Sequence, residues 1–271
     1  MLCANETVAE EFYWREIPFL YRTHDIPDGE KVDKLQAFLQ NFGIYLKINR
    51  EELHPMEVQK LLTKIEGTPE EPLISRLTLR SMKQAKYTVQ CSLHFGLSTR
   101  YYCHFTSPIR RYPDLQIHRI IKENLHGTFT PERFAHYERI LPKVAEQTSK
   151  TERRADETER EVEKLKKAED MKRRIGDVHR GISSRITSWG VYVELPNTVE
   201  GMIHVSKLPG DFYYYDEATY SMVGERTGRQ FKLGEQVKIR VAGVDMLLKN
   251  IDFDLEEDDY GEAQWNKADR Q

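Results

Sequence analysis

Residues 189–195 read Trp-Gly-Val-Tyr-Val-Glu-Leu, and apolar and polar side chains alternate along most of this stretch. Alternation with a period of two is typical of a β-strand that buries one of its faces. Four further stretches have the same character, and they are residues 181–187, 199–204, 236–241 and 251–255. Five short strands in so short a region indicate a small closed barrel.

The residues before the barrel predict helices instead. Apolar side chains recur at helical spacing in residues 8–14, 32–42, 56–65 and 73–82, and prolines separate these segments. Aromatic and small residues from 95 to 105 predict a short strand or an extended loop. The chain as a whole is therefore expected to have an α+β fold.

A long charged helix is expected from Pro131 past Lys172, with a break at Pro142. Opposite charges recur three or four residues apart, which is typical of a solvated helix face. An interaction surface is the alternative, although the sparse apolar seam argues against a coiled coil. Beyond Leu255 the tail, residues 257–271, is acidic and then polar, and we expect it to be disordered.

Composition narrows the class of protein. The 271 residues suffice for two domains, and 39% are hydrophobic, yet no apolar run approaches the length of a membrane span. The start of the sequence lacks the pattern of a signal peptide, so we expect a cytoplasmic protein without a membrane partner. Cys3, Cys91 and Cys103 indicate neither a disulfide framework nor a metal site. A net charge of −3 with 31% charged residues still permits local basic patches.

Residues 104–114 read His-Phe-Thr-Ser-Pro-Ile-Arg-Arg-Tyr-Pro-Asp and suit an anion. Arg110 and Arg111 offer planar forks that match phosphate oxygens, and a helix that starts near Ser107-Pro108 would add free N–H groups. The alternatives are an exposed pair at a helix start or an internal clamp to Asp114. Two histidines and a tyrosine of this region are interpreted as residues that pack or support the site and not as catalytic residues: His104, His118 and Tyr112.

The barrel region resembles the S1 domain, an RNA-binding OB-fold. The resemblance rests on the aromatic-Gly-x-aromatic-Val motif, on Glu-Gly-Met-Ile-His-Val-Ser-Lys-Leu at 200–208, and on Leu-Gly-Glu-Gln-Val-Lys-Ile-Arg-Val at 233–241. It implies that single-stranded RNA lies against an exposed face, whereas aromatic filling of the barrel is the alternative. The insertion 211–230 is either a hairpin that adds contact area or a packed loop. The implied face consists of Trp189, Tyr192 and His204, with Asp245 and Lys249 beside it.

The earlier part resembles the end of the catalytic domain of the RNB (ribonuclease II/ribonuclease R) family. The resemblance rests on residues 104–119, on Leu-Arg-Ser-Met-Lys-Gln-Ala-Lys-Tyr at 79–87, on His-Phe-Gly-Leu at 94–97 and on Glu-Arg-Arg-Ala-Asp-Glu at 152–157. Three regions are then expected: a mainly helical RNB part (1–174), an S1 domain (175–256) and the tail.

The family resemblance implies a processive 3′→5′ exoribonuclease that uses Mg²⁺ and releases nucleoside 5′-monophosphates. It gives Arg110 a catalytic contact with the phosphate at the cleavage site. Arg111 and Ser107 are also predicted to contact RNA. By the same resemblance, Glu159 lies near the product end of the RNA channel.

The acids for a magnesium site are not evident in the sequence. Two-metal hydrolysis needs several converging carboxylates, which the RNB family supplies from an aspartate cluster that this chain lacks. Asp252 and Asp254, or Asp156, Glu157 and Glu159, are acidic groups with ordinary structural explanations. No metal ligand is therefore predicted.

Two functions remain open at this point. The chain is part of an exoribonuclease that is completed by the missing N-terminal half, or it is a catalytically inactive RNA-binding fragment. For the isolated chain we favour the second. We expect residues 176–255 to fold alone and residues 1–174 to expose apolar surface where the missing half would pack.

Overall fold

The computed structural model describes residues 1–40, 42–46, 53–68, 71–217 and 219–256. The predicted α+β fold is confirmed. The chain divides into two compact units, of which the first comprises Met1–Glu66 and Ser75–Thr158, and the second comprises Gly67–Ile74 and Glu159–Gln271. In the described part of the chain no helix combines the length and the apolar character needed to cross a bilayer.

The four helices expected near the N-terminus are present. The third begins where the ring of His54 accepts a hydrogen bond from the N–H of Met56 at 3.2 Å, and Pro55 occupies its first turn. The helices of the described residues are α1 (Leu2–Trp14), α2 (Gly29–Gln40), α3 (Pro55–Ile65), α4 (Glu71–Ser81), α5 (Tyr112–Leu125) and α6 (Pro131–Lys172).

The break expected at Pro142 is wrong, because α6 runs through it as one helix of 42 residues. Proline has no N–H to donate, so the helix forgoes one backbone hydrogen bond there. Leu141 and Ala145 lie on either side of Pro142, and both are buried in the core of the first unit. This packing holds the helix across the proline. The predicted domain boundary after residue 174 stays a prediction, since the compact units divide inside α6.

Two short strands were missed by the sequence analysis. Strand β1 (Tyr21–Thr23) pairs antiparallel with β2 (Lys86–Thr88), and Arg22 lies opposite Tyr87. Three residues are too few for an alternating pattern to be recognised. The predicted extended loop is found between residues 98 and 111, after a single 3₁₀ turn at Phe95–Leu97.

The core of the first unit joins α1, α5 and the first half of α6. Phe12 of α1 stacks on Phe19 with ring centroids 4.7 Å apart. Ile117 and Ile120 of α5 are buried in the same cluster as Tyr137 of α6. The loop that carries residues 98–111 is thus anchored next to a packed three-helix core.

The second unit contains the predicted barrel, which is confirmed. Its five strands close in the order β10-β5-β4-β3-β9, and Val191, Ile203 and Phe253 fill the interior. A bulge interrupts the β3–β4 ladder between Ser183 and Arg185. The strands of this unit are β3 (Val178–Thr187), β4 (Gly190–Glu194), β5 (Glu200–His204), β6 (Tyr213–Asp216), β7 (Ser221–Gly224), β8 (Gln230–Phe231), β9 (Gln236–Asp245) and β10 (Asn250–Leu255).

The insertion between β5 and β9 is a separate three-stranded sheet, formed by β6, β7 and β8. Met222 and Phe231 are buried in the same cluster as the barrel interior, so this sheet is packed. Phe212 and Tyr214 remain exposed, at 77% and 55%. The insertion is therefore packed on one side and exposes aromatic side chains on the other, and the added contact area stays a prediction.

Close pairing of β4 and β5 depends on Gly190. Its φ is +154°, and a Cβ atom placed there would lie 2.1 Å from the carbonyl oxygen of Ile203. We expect Gly190→Ala to lower the free energy of unfolding by about 3 kcal/mol. Gly243→Ala is the matched control, because a Cβ atom at Gly243 meets nothing within 4 Å. Urea denaturation followed by circular dichroism measures both, and equal midpoints would contradict the expectation.

Candidate functional site

The turn at residues 107–111 is closed by one buried carboxylate. Oδ1 of Asp114 accepts the N–H of Ser107 at 2.8 Å and an N–H of the Arg111 guanidinium, also at 2.8 Å. The N–H of Arg111 donates to the carbonyl of Ser107 at 3.1 Å. Since the side chain of Asp114 is fully buried, these bonds fix both ends of the turn to α5.

The helix start expected near Ser107-Pro108 is wrong. Helix α5 begins at Tyr112, and Pro113 lies in its first turn. The N–H of Ser107 is already used by Asp114, so it cannot serve as a free helix-terminal donor. Asp114 itself lies in the first turn of α5, where a negative charge is favoured by the helix dipole. An anion-binding site made by a helix terminus at Ser107 is thereby excluded.

The two arginines have different environments. Arg111 is the internal clamp to Asp114 that was one of the alternatives, and only 19% of its side chain is exposed. Arg110 is exposed at the tip of the turn beside Ile109 and, in the part of the chain that the structure describes, has no hydrogen bond or ion pair. Its guanidinium is thus available to an anion. The RNA contacts predicted for Arg111 and for Ser107 stay predictions.

A cluster of polar and aromatic side chains precedes the turn and includes His104. The imidazole Nδ1 of His104 is 2.8 Å from the hydroxyl of Tyr87, and the guanidinium of Arg22 lies 4.6 Å above the Tyr87 ring. Arg22 donates to Glu152 of α6 at 2.6 Å. Burial, together with the charges of Arg111 and Arg22, lowers the pKa of His104 to about 3. His104 is therefore a neutral packing residue at pH 7, as predicted.

The other packing residues agree with expectation in part. His118 stacks on Phe105 with ring centroids 4.5 Å apart, and its Nε2 is 2.8 Å from the Phe105 carbonyl oxygen. Tyr112 is half exposed and donates to Gln116 at 3.2 Å. His118 thus packs between α5 and the loop, whereas Tyr112 lies near the surface.

The predicted aromatic residues of the barrel lie outside its interior. Trp189 is 68% exposed in the turn between β3 and β4. Tyr192 lies on the outer side of β4, and His204 ends β5 directly opposite Gly190. Nδ1 of His204 accepts the N–H of Ser206 at 3.2 Å, which fixes the ring. The alternative that these aromatics fill the barrel is therefore wrong.

The remaining predicted residues have mixed positions. Asp245 accepts two backbone N–H groups of the β9–β10 turn, at 2.8 and 3.0 Å, and so acts as a turn cap. Lys249 is the last residue of this turn, donates to Glu161 of α6, and lines the same groove as Tyr192. Glu159 is exposed on α6. The structure thus brings Tyr192 and Lys249 together, and Asp245 shapes the turn between the strands.

Arg185 is a site residue that the sequence analysis missed. Its guanidinium carbon lies 3.7 Å from the centroid of the Tyr192 ring. Simple alternation along β3 puts residue 185 on the same side as the buried Gly181 and Ser183. The bulge shifts the register after Ser183, so Arg185 points outward and Ile186 inward. No signal in the sequence marks this bulge.

The described residues do not form the magnesium site that the family resemblance implies for the complete enzyme. Among them, no three His, Cys, Asp or Glu side chains come together in a geometry that could hold a metal ion. Asp254 is paired with Lys207 at 2.7 Å, and Asp252 is exposed on the same strand. The acids of this part of the chain thus serve ion pairs, caps and surfaces.

Comparisons with known proteins find similar sequences over nearly the whole chain. The RNB domain model matches residues 1–127, and the S1 RNA binding domain model matches residues 172–256. Ribonuclease R 1 of Lactococcus lactis is 42% identical over 94% of this chain and 31% of its own length. Ribonuclease R of Thermotoga maritima is 43% identical over 96% of this chain and 37% of its own. The chain thus spans about a third of the length of these relatives.

A solved structure is similar over the same extent. Mycoplasma genitalium RNase R in complex with ribose methylated single-stranded RNA has a TM-score of 0.87 and 27% identity. The match covers 94% of this chain and 40% of that one. Both units of the chain therefore have counterparts in one known protein.

The proton affinity of His104 predicts how stability depends on pH. The unfolded chain takes up a proton at His104 near pH 6.5, whereas the folded chain does so only near pH 3. The free energy of unfolding therefore falls as pH falls from about 6.5 towards 3, by up to about 1.4 kcal/mol per pH unit for this group. His94, whose pKa burial lowers to about 4, adds to this effect.

We expect His104→Asn to lose less stability than the parent between pH 7 and pH 4.5. Asparagine can still accept the Tyr87 hydroxyl proton but does not titrate. Urea midpoints at the two pH values measure the effect. His126→Asn, at the exposed end of α5, is the matched control and is expected to behave like the parent. An unchanged pH dependence in His104→Asn would contradict the assignment.

Proposed function

Because the chain carries RNB and S1 domains of the ribonuclease R family, we propose that it is the phosphate-gripping and RNA-binding part of a 3′→5′ exoribonuclease. The observation that carries this proposal is the position of Arg110. Its guanidinium is exposed, and its turn is held in place by hydrogen bonds to Asp114. Single-stranded RNA is the proposed ligand. Its route includes the predicted contacts at Arg111, Ser107 and Glu159.

Arg110 can act on phosphate without any movement of its turn. Its planar fork donates two parallel hydrogen bonds to non-bridging phosphate oxygens, and its positive charge opposes the negative charge that grows in a phosphoryl transition state. The clamp at Asp114 holds the backbone in place, so little order must be gained when RNA arrives. Arg110 is the catalytic residue of this proposal.

The barrel supplies sequence-tolerant contacts. Exposed Trp189 and half-buried Tyr192 offer surfaces on which unpaired bases stack, with about 1–3 kcal/mol per stacked base. His204 and Lys249 flank them and provide hydrogen-bond donors to phosphate or base. Asp245 contributes by shaping the β9–β10 turn. Together these residues bind RNA but contain no group that cleaves it.

The isolated chain is proposed to bind RNA without cutting it. The observation in favour is that the described residues assemble no group of metal ligands. Hydrolysis to nucleoside 5′-monophosphates would then need carboxylates and Mg²⁺ supplied by a further polypeptide, for which the N-terminal half of the same enzyme is the proposed partner. The cytoplasm stays the predicted compartment.

A surface of the first unit suits such a partner. A groove of about 500 Å³ is lined by aromatic and aliphatic side chains, among them Phe12, Trp14 and Phe134. Trp14 is 68% exposed and Tyr13 is 37% exposed. Exposed apolar surface of this kind is typical of regions that are covered by another part of the protein.

We expect Arg110→Ala to weaken the binding of single-stranded RNA at low salt and to reduce the salt dependence. Loss of one phosphate contact to a single strand lowers the magnitude of the slope of log K against log [salt] by about 0.7. Fluorescence anisotropy with a labelled 12-nucleotide RNA between 50 and 300 mM KCl measures both. Arg139→Ala, an exposed arginine of α6, is the matched control and is expected to keep the parent slope. Equal slopes for both variants would exclude the phosphate contact.

Cleavage is tested with labelled RNA and Mg²⁺. The chain alone is expected to retain RNA on a gel and to release no mononucleotides. Addition of a separately expressed polypeptide that corresponds to the remaining part of the Thermotoga maritima relative is expected to restore release. Arg110→Ala is expected to abolish the restored release, and Arg139→Ala to leave it unchanged. Mononucleotide release by the chain alone would overturn the inactive-fragment proposal.

A further inference from the structure

A groove of about 560 Å³ lies within the second unit, between the end of α6 and the outer face of the barrel. It extends beyond the aromatic face described above, because one wall is formed by the helix. Arg160, Glu163, Lys164 and Lys167 contribute that wall. None of these four residues belongs to the predicted RNA contacts.

The floor of the groove is a single row of side chains across four strands. Arg185 of β3 lies opposite Tyr192 of β4, and Tyr192 lies opposite Met202 of β5. Met202 lies opposite Asp252 of β10. Residues opposite each other on neighbouring strands point to the same face, and all four line the groove. The row thus presents a guanidinium, a phenol, a thioether and a carboxylate in order.

Arg185 is held flat on its aromatic neighbour. Its guanidinium carbon is 3.7 Å from the Tyr192 ring centroid, and an Nη atom is 3.3 Å from Glu200. Nε is buried and has no hydrogen-bond partner among the described residues. A guanidinium fixed in this way is a planar surface in its own right, and bases stack on such surfaces as they do on aromatic rings.

The charges of the groove do not favour phosphate binding alone. Its lining contains five cationic and five acidic side chains, so the bulk charge is balanced. The side-chain carboxylates of Asp252 and Glu163 have no hydrogen bond or ion pair within the described residues. Free carboxylates repel phosphate but accept hydrogen bonds from amino groups. The cationic side chains are Arg160, Lys164, Lys167, Arg185 and Lys249, and the acidic ones are Glu161, Glu163, Glu194, Glu200 and Asp252.

We propose that this groove binds one unpaired nucleotide of single-stranded RNA, whose base stacks on the Arg185–Tyr192 pair and donates an exocyclic amino group to Asp252. The proposal rests on the proposed RNA-binding function and adds a base preference to it. Adenine, cytosine and guanine carry such an amino group, whereas uracil does not. Arg160, which has no partner in the described part of the chain, faces the phosphate of this nucleotide.

Stacking is tested with Arg185→Ala and Arg185→Lys in the full chain. Both variants are expected to weaken the binding of a 12-nucleotide oligo(A) about tenfold, because lysine keeps the charge but not the plane. Arg229→Ala is the matched control, since Arg229 also lies over an aromatic ring, Phe231 at 5.0 Å, but outside the groove. It is expected to change the affinity less than twofold. Thermal unfolding of each variant verifies that the barrel is intact.

The amino-group contact is tested by the ratio of oligo(A) to oligo(U) affinity. Asp252→Asn is expected to reduce this ratio at least threefold, because its amide no longer matches a donor edge as a pure acceptor. Asp254→Asn on the same strand is the control and is expected to leave the ratio unchanged. A ratio that is the same in both variants would overturn the assignment of Asp252.

The outcomes distinguish a failure of the groove proposal from a failure of the proposed RNA-binding function. If Trp189→Ala weakens binding but both Arg185 variants bind oligo(A) like Arg229→Ala, the groove proposal fails and the RNA-binding function stands. If Arg185→Lys binds like the parent, the role of Arg185 is its charge and the stacking proposal fails. If the parent chain binds no oligonucleotide at 50 mM KCl, the proposed function itself fails.

Discussion

The turn at residues 107–111 depends on the hydrogen bonds that the carboxylate of Asp114 accepts. This carboxylate is fully buried, and one oxygen accepts both the backbone N–H of Ser107 and the guanidinium of Arg111. Removing one member of a buried charged pair typically costs about 3–5 kcal/mol, because the other charge is left without compensation. Arg111 is thus used to hold the turn, and Arg110 is left free because its neighbour carries the structural role.

In the barrel an arginine is also directed outward by an irregular element, which here is a β-bulge. The bulge after Ser183 turns Arg185 outward onto Tyr192, and it keeps Ile186 in the interior. Without the extra residue the guanidinium would point into an apolar core, which costs far more than a bulge. In both units, therefore, an irregular backbone segment, a turn in the first and a bulge in the second, sets the direction of an arginine side chain. Regular packing on either side keeps that segment in place.

The regular parts of both units could be predicted because they repeat a period. Four N-terminal helices and five barrel strands follow from apolar spacing alone. The irregular parts could not. Three-residue strands such as Tyr21–Thr23 are too short to show a period. The turn before α5 depends on a hydrogen bond from the N–H of Ser107 to Asp114. Helix α6 continues through Pro142 because of tertiary packing. The motif at residues 104–114 predicts Arg110 as a candidate, whereas the outward position of Arg185 depends on a register shift that no motif records.

The two proposed RNA contacts differ in their physical basis. Arg110 is a free charge on the surface, so its attraction to phosphate is long-ranged and is screened by salt. The groove is balanced in charge and offers stacking surfaces, so the stacking part of its contribution is short-ranged and depends little on salt. A chain with both kinds of contact can capture RNA by charge and retain individual bases by stacking.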